Sequence, residues 1–199
     1  MATNIRRFAK PSLPEAARVV AKGGLIVFPT DTVYGLGCDP ANEEALNKLF
    51  LAKKREGKPI PVLCDSLASA LQLVSLDGRA LRIANDYWPG ALTIVAPMKG
   101  MLPKLIHQDS GTVGVRVPGS DLCLELVRLC GGLLTGTSAN RSGAPACRTA
   151  GDALAQLGSA VNLFLDGGKL EGKESTVIRV TERGIEVLRQ GAVRVKEKG

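Results

Sequence analysis

Thr30, Asp31, Thr32 and Tyr34 place two hydroxyls, a carboxylate and a phenol within five consecutive positions, and Gly35 and Gly37 follow at once. Side chains of these types orient a polar ligand, and the glycines let backbone approach closely. Further along, Lys53, Arg55, Lys58, Arg116, Arg148 and Arg189 stand where they can meet the polar groups of Thr32, Thr112, Ser138, Asn140 and Ser175. Cations and hydroxyls in this mixture suit the positioning and charge stabilisation of a phosphoanhydride and a carboxylate, chemistry that rests mostly on orientation and electrostatics. They do not suit a nucleophile on the protein. The one histidine, His107, has no evident Ser or Asp partner, and neither G-x-x-x-x-G-K-[ST] nor G-x-G-x-x-G occurs. No His, Cys or carboxylate cluster surrounds His107, so no protein-bound metal is expected.

Composition narrows the partners. Lys and Arg outnumber Asp and Glu by 26 to 19, a net charge of +7 that favours nucleotide phosphates or RNA. Basic residues gather at Arg6, Arg7 and Lys10, at Lys53 to Lys58, and at Arg194, Lys196 and Lys198. Aromatic residues make up only 4%, which argues against a stacking platform for single strands. No apolar run reaches the roughly 20 residues of a membrane span. Met1 to Lys10 has no apolar core of a secretory signal, so a cytoplasmic location away from membranes is expected. The cysteines, Cys38, Cys64, Cys123, Cys130 and Cys147, are odd in number and widely spaced, as befits free thiols in a reducing compartment. The spacing of Cys123 and Cys130 puts both on one helix face, in the core.

The positioning elements follow from pattern. Ser12-x-x-Glu15 has capping-box spacing and opens a helix through Val20. The apolar run Leu25 to Phe28 predicts a buried strand that Pro29 ends, with a polar loop leading to a helix capped by Asn42. Leu46, Leu49 and Phe50 share a face of that helix, which runs into Lys53-Lys54-Arg55. Strands are expected at 60–63, 91–96, 113–117, 133–134, 162–165, 175–180 and 185–188. Helices are expected after Ser66 and Asp77, from Ser120 to Leu129, and over 150–157, with a loop and a short helical piece at 97–111. Arg116 interrupts an apolar strand, and a buried arginine needs a partner. Together these predict a single α/β domain over residues 1–199: an open twisted sheet of mixed parallel and antiparallel strands, flanked by helices, with a basic concave cleft.

The chain also resembles the YrdC-like family of threonylcarbamoyl-AMP synthases in its short form. The resemblance rests on eight segments in order: Pro29-Thr-Asp-Thr-Val-Tyr-Gly-Leu-Gly37, Lys53-x-Arg55, Trp88-Pro-Gly-Ala-Leu-Thr-Ile94, Val113-Gly-Val-Arg-Val-Pro118, Ser138-Ala-Asn-Arg-Ser-Gly143, Asp166-Gly-Gly168, Ser175-Thr-Val177 and Leu188-Arg-Gln-Gly191. It implies the YrdC-like fold and a nucleotidyltransferase that joins L-threonine, bicarbonate and ATP into threonylcarbamoyl-AMP and pyrophosphate, with Mg²⁺ accompanying ATP. The product would pass to the transferase machinery that installs threonylcarbamoyl-adenosine in tRNA. By the resemblance, Lys53, Arg55, Ser138 and Asn140 act at the reacting phosphate. Thr32, Arg116 and Ser175 bind threonine, Arg116 taking its carboxylate. Arg55, Lys58, Thr112, Asn140, Arg148 and Arg189 contact ATP. Two departures stand out: Glu56-Gly57-Lys58-Pro59 replaces a proline-led loop, and Leu63-Cys64 stands where some members carry a histidine. The competing expectation is a paralogue of the same fold that binds double-stranded RNA or tRNA, or serves RNA maturation, without this activity.

Overall fold

The structure, a computed structural model, describes residues 4–55 and 57–196. Glu56 of the departing loop and Lys198 of the last basic cluster lie outside these residues. In chain order the strands are β1 (Ile5–Arg7), β2 (Ile26–Pro29), β3 (Tyr34–Gly37), β4 (Val62–Cys64), β5 (Leu92–Pro97), β6 (Thr112–Arg116), β7 (Leu133–Thr135), β8 (Thr137–Ser138), β9 (Leu163–Asp166), β10 (Thr176–Thr181) and β11 (Gly184–Arg189). The helices are α1 (Leu13–Ala21), α2 (Glu43–Lys53), α3 (Leu67–Leu73), α4 (Gly78–Tyr87), α5 (Lys104–His107), α6 (Asp121–Leu129) and α7 (Ala150–Leu157). No helix among them is long and apolar enough to cross a membrane.

The expected mixture of parallel and antiparallel pairing with flanking helices is present, but two sheets share the strands instead of one. The first runs β1-β9-β2-β3-β8 and the second β11-β10-β5-β6-β4-β7. The chain passes from the second sheet to the first at a single residue, Gly136, between β7 and β8. A Cβ at Gly136 would lie 2.5 Å from Leu63 Cγ, so the switch needs glycine for space.

Strand β2 is buried on both faces, which is why its sequence is continuously apolar. Ile26 and Phe28 pack with Leu13, Ala16 and Val20 of α1 and with Leu126 of α6. Val27 turns the other way, toward Leu46 of α2 and Ala153 of α7. The chain after Pro29 is not the expected connection to a helix. It folds straight back as β3, with Pro29 opposite Tyr34 and Phe28 opposite Gly35. Gly35 and Gly37 face the Phe28 ring: a Cβ would come within 3.2 Å of it at Gly35 and 2.8 Å at Gly37.

Three expected caps form, and Ser120, expected inside its helix, adds a fourth. Asn42, Ser66, Asp77 and Ser120 accept the N–H of Ala45, Ser69, Ala80 and Cys123 respectively. The capping box at Ser12 does not. Ser12 already has helical backbone angles, so its hydroxyl turns back to the Ala9 carbonyl at 2.8 Å, and Glu15 pairs with Arg6. His107 ends the short helix α5, the helical piece expected within 97–111. All five cysteines are free; Cys123 is buried, whereas Cys130, just beyond α6, is only partly so.

Candidate active site

The two sheets meet along a cleft that neither builds alone. Thr30, Thr32, Gly35 and Ser138 come from the first sheet and its hairpin turn, and Leu63, Thr93 and Arg116 from the second. Ser175 precedes β10, Arg189 ends β11, and Arg55 closes the cleft from just beyond α2.

Arg116 is the buried cation of the site, 5% exposed. It sits on β6 beside Leu63 of β4, so its guanidinium leaves the sheet where the cleft opens. Its Nε donates to the Gly90 carbonyl at 2.9 Å, its Nη1 to Thr32 Oγ1 at 3.1 Å and its Nη2 to Asp31 Oδ1 at 2.6 Å. The partner that a buried arginine requires is therefore Asp31. Thr30 extends the network: its Oγ1 is 2.9 Å from Thr32 Oγ1 and donates to the Val33 carbonyl at 2.8 Å.

Across the cleft, Ser175 Oγ lies 2.9 Å from Thr93 Oγ1 and accepts from Arg189 Nη2 at 3.1 Å. Arg189 also donates from Nε and Nη2 to the Ser175 carbonyl and from Nη1 to Glu174 Oε1 at 3.2 Å. Arg55 is fixed by the carbonyls of Lys58 and Pro59, at 3.0 and 2.6 Å. Burial and the nearby Arg189 charge lower its pKa.

Lys53 does not border the cleft. It is 1% exposed, and its ammonium donates to the main-chain carbonyls of Ser138 and of Asn140, the latter at 2.7 Å. Burial, helped by the Arg55 charge, lowers its pKa to about 8. Asn140 is likewise set back. Its Nδ2 donates to the carbonyls of Arg141 and Ala144, and its Oδ1 is buried with no partner among the described residues. Lys53 and Asn140 thus hold the segment that presents Ser138.

Besides Asn140, three expected nucleotide contacts stand outside the cleft. Lys58 is exposed and engages Arg55 through its carbonyl only. Thr112 occupies the opposite end of β6 from Arg116, with its Oγ1 3.0 Å from Ser110 Oγ, and lines a separate groove with Leu76 and Arg179. Arg148 is exposed and paired with Glu171 at 3.3 Å, in a depression that shares Val33 and Glu174 with the cleft. Strand length explains Thr112: four residues along β6 carry it roughly 13 Å from Arg116.

The sequence reading left out Thr93 and Glu174, named Thr30 without a specific role, and gave Asp31 no partner. Thr93 is a single hydroxyl inside an apolar strand, with no local signal of its own. Tyr34 serves as an anchor: its hydroxyl donates to the Gly168 carbonyl at 2.7 Å and accepts from Gly167 N at 3.0 Å. The Asp166-Gly-Gly168 motif is accordingly a mount for the strap that carries Ser175. Of the departing pair, Leu63 lines the cleft, whereas Cys64 faces the core, where burial pushes its thiol up to about 12.

Three guanidiniums, Arg55, Arg116 and Arg189, thus face one carboxylate, Glu174, among the lining residues. Among the described residues, no imidazole or free carboxylate lies beside the hydroxyls between them to act as a base. Such a surface binds anions and fixes their orientation; it offers no covalent intermediate.

Comparison with known proteins agrees. The family model Sua5_yciO_yrdC, described as "Telomere recombination", matches residues 18–191. A Threonylcarbamoyl-AMP synthase of Pyrococcus abyssi is 33% identical over 185 residues, covering 92% of this chain and 54% of its own. The synthase of the same name from Vibrio cholerae is 35% identical over 184 residues, covering 90% of this chain and 97% of its own. The chain therefore spans about half of the archaeal relative and nearly all of the Vibrio one. Among solved structures, P. abyssi Sua5 complexed with L-threonine superposes with a TM-score of 0.88 at 33% identity, over 95% of this chain and 56% of that one. E. coli YciO gives 0.89 at 25% identity, over 98% of each.

Proposed function

Given that the chain belongs to the Sua5–YciO–YrdC family, we propose that it is a cytoplasmic L-threonylcarbamoyladenylate synthase, one YrdC-like domain that makes threonylcarbamoyl-AMP and pyrophosphate from L-threonine, bicarbonate and ATP. The observation that carries this reading is Arg116, buried yet bordering the cleft, in a family in which an L-threonine complex is known.

In this reading the threonine carboxylate meets Arg116, with Thr32 and Ser175 at its flanks. The ammonium group and bicarbonate give a carbamate, water and a proton. A carbamate oxygen then attacks the α-phosphorus as the bond to the bridging oxygen of pyrophosphate breaks. Arg55 and Arg189 offset charge on the phosphates, and Ser138, held by Lys53 and Asn140, orients them. Mg²⁺ arrives with the nucleotide and shields the triphosphate. Glu174, the carboxylate among the described lining residues, is already engaged by Arg189, so the ion would be held by phosphate and water oxygens. The labile product would go to the tRNA-modifying transferase machinery.

The test is direct. The protein is incubated with Mg²⁺-ATP, bicarbonate and L-threonine, and threonylcarbamoyl-AMP is sought by mass spectrometry, with L-serine and no-amino-acid controls. A threonine-dependent adduct supports the reading. Tight ATP binding without any adduct rejects it.

A further inference from the structure

We infer that Asp31 is a positioning residue for the amino-acid carboxylate, acting through Arg116. The inference deepens the proposed function and rests on its assignment of the threonine carboxylate to Arg116.

A guanidinium carries five N–H donors in a rigid fork. In Arg116 three are engaged within the protein, by Gly90, Thr32 and Asp31. The fork is therefore held on three sides, and one N–H on each terminal nitrogen remains. Arg116 borders the cleft whereas Asp31 does not, so those remaining donors are the ones a ligand can reach. Two donors on adjacent nitrogens match one carboxylate.

Asp31 contributes most to this arrangement. Gly90 and Thr32 offer neutral oxygens, while Asp31 supplies the charged and shortest contact, at 2.6 Å. The pair is withdrawn from solvent, with side-chain exposures of 6% for Arg116 and 15% for Asp31. Asp31 is itself fixed, in the turn between β2 and β3 and against Gly119, where a Cβ would stand 3.1 Å from Oδ2. Without its charge the buried cation would be uncompensated in the unliganded protein and would turn toward solvent. The Thr30-Asp31-Thr32 triplet thus becomes one device: Thr30 orients Thr32, and Thr32 and Asp31 together aim Arg116.

The experiment measures KM for L-threonine and for ATP, by pyrophosphate release, in Asp31→Ala, Asp31→Asn, Arg116→Lys and the double variant Asp31→Ala/Arg116→Lys. Asp31→Ala should raise the threonine KM about tenfold and leave the ATP KM within about twofold. Asp31→Asn keeps an oxygen acceptor without the charge and should raise the threonine KM about threefold; it carries the test if the alanine variant does not fold. Once Arg116 is lysine, losing Asp31 should add little, because a positioning residue acts only through what it positions. Equal rises in both KM values, or effects that add in full in the double variant, would overturn the inference. An unchanged threonine KM in Arg116→Lys would instead overturn the carboxylate assignment beneath it.

Discussion

Lys53 holds Ser138 by its main-chain carbonyl, and Ser138 itself borders the cleft. The lysine is therefore part of the scaffold behind the cleft wall that carries Ser138. Lys53→Met would leave the carbonyls of Ser138 and Asn140 without their donor. Each buried acceptor so stranded costs about 1–3 kcal/mol, so a loss of roughly 2–6 kcal/mol is expected from urea denaturation at pH 7. Turnover should fall at least tenfold, or roughly 1.4 kcal/mol of barrier. A variant of wild-type stability would show that these two bonds do not support the segment.

The same lysine gives a pH signature of definite sign. Its pKa is lowered from 10.5 to about 8 in the folded protein. Below that value both folded and unfolded chains carry the proton, and the folded state bears the full penalty of a buried charge. Between pH 8 and 10.5 the unfolded chain holds the proton more tightly, so Lys53 raises stability as pH increases through this window. The urea midpoint of the wild type should therefore gain on that of Lys53→Met between pH 8 and pH 10. The comparison cancels the cysteines and tyrosines that titrate in the same range. A gap that narrows as pH rises would contradict the burial-lowered pKa.

Arg189 joins both halves of the cleft, since it bonds Ser175 and Glu174 and stands close enough to Arg55 to lower its pKa. Arg189→Ala should accordingly raise the KM for ATP and the KM for threonine together, each by about tenfold, one charge-assisted bond's worth. This differs from the threonine-only effect expected at Asp31. A rise confined to threonine would remove Arg189 from the nucleotide side.

Gly191 tests the strap that carries Ser175. A Cβ there would sit 2.2 Å from the Glu174 carbonyl oxygen and 2.5 Å from the Ser175 backbone, atoms that cannot swing away. Gly191→Ala should push residues 174–175 off the end of β11 and lower kcat/KM by at least about tenfold. Gly143→Ala is the matched control, because no atom lies within 4 Å of a Cβ there, although its φ of +84° adds local strain. Wild-type kinetics in Gly191→Ala would mean that the strap shifts as a unit without disturbing the site.

Much of this was legible in the sequence, and the misses have physical causes. Helix starts read well because a cap is local: Asn42, Ser66, Asp77 and Ser120 each satisfy an N–H three residues on. Ser12 failed because its backbone is already helical, which spacing does not reveal. The hairpin was hidden because the strand that returns, Tyr34 to Gly37, carries two glycines where strands normally carry branched side chains. Those glycines answer to Phe28 across the ladder, a contact that no window along the chain displays. Arg116 was legible by its incongruity in an apolar strand. Its counter-ion was not, since Asp31 lies 85 positions away. Thr32, Arg116, Ser175, Ser138, Arg55 and Arg189 do converge, whereas Lys53 and Asn140, expected at the reacting phosphate, lie behind the lining and bond the backbone near Ser138.

The order of strands has a consequence for the protein as it is made. The first sheet begins with residues 5–7 and 26–37, yet it is completed only by residues 137–138 and 163–166. Between them the chain runs through β4, β5, β6 and β7 of the other sheet. On a ribosome the β2–β3 hairpin therefore emerges early and waits, its Leu25 N–H bonding at last to Asn162, 137 residues later. Pairings across such distances are slow to close and leave edges uncovered meanwhile. Because Arg116 and Ser175 enter from the intervening and final segments, the cleft cannot exist on a nascent chain that has not yet delivered β10. Binding competence comes last, and no partly synthesised chain can draw on the substrate pool.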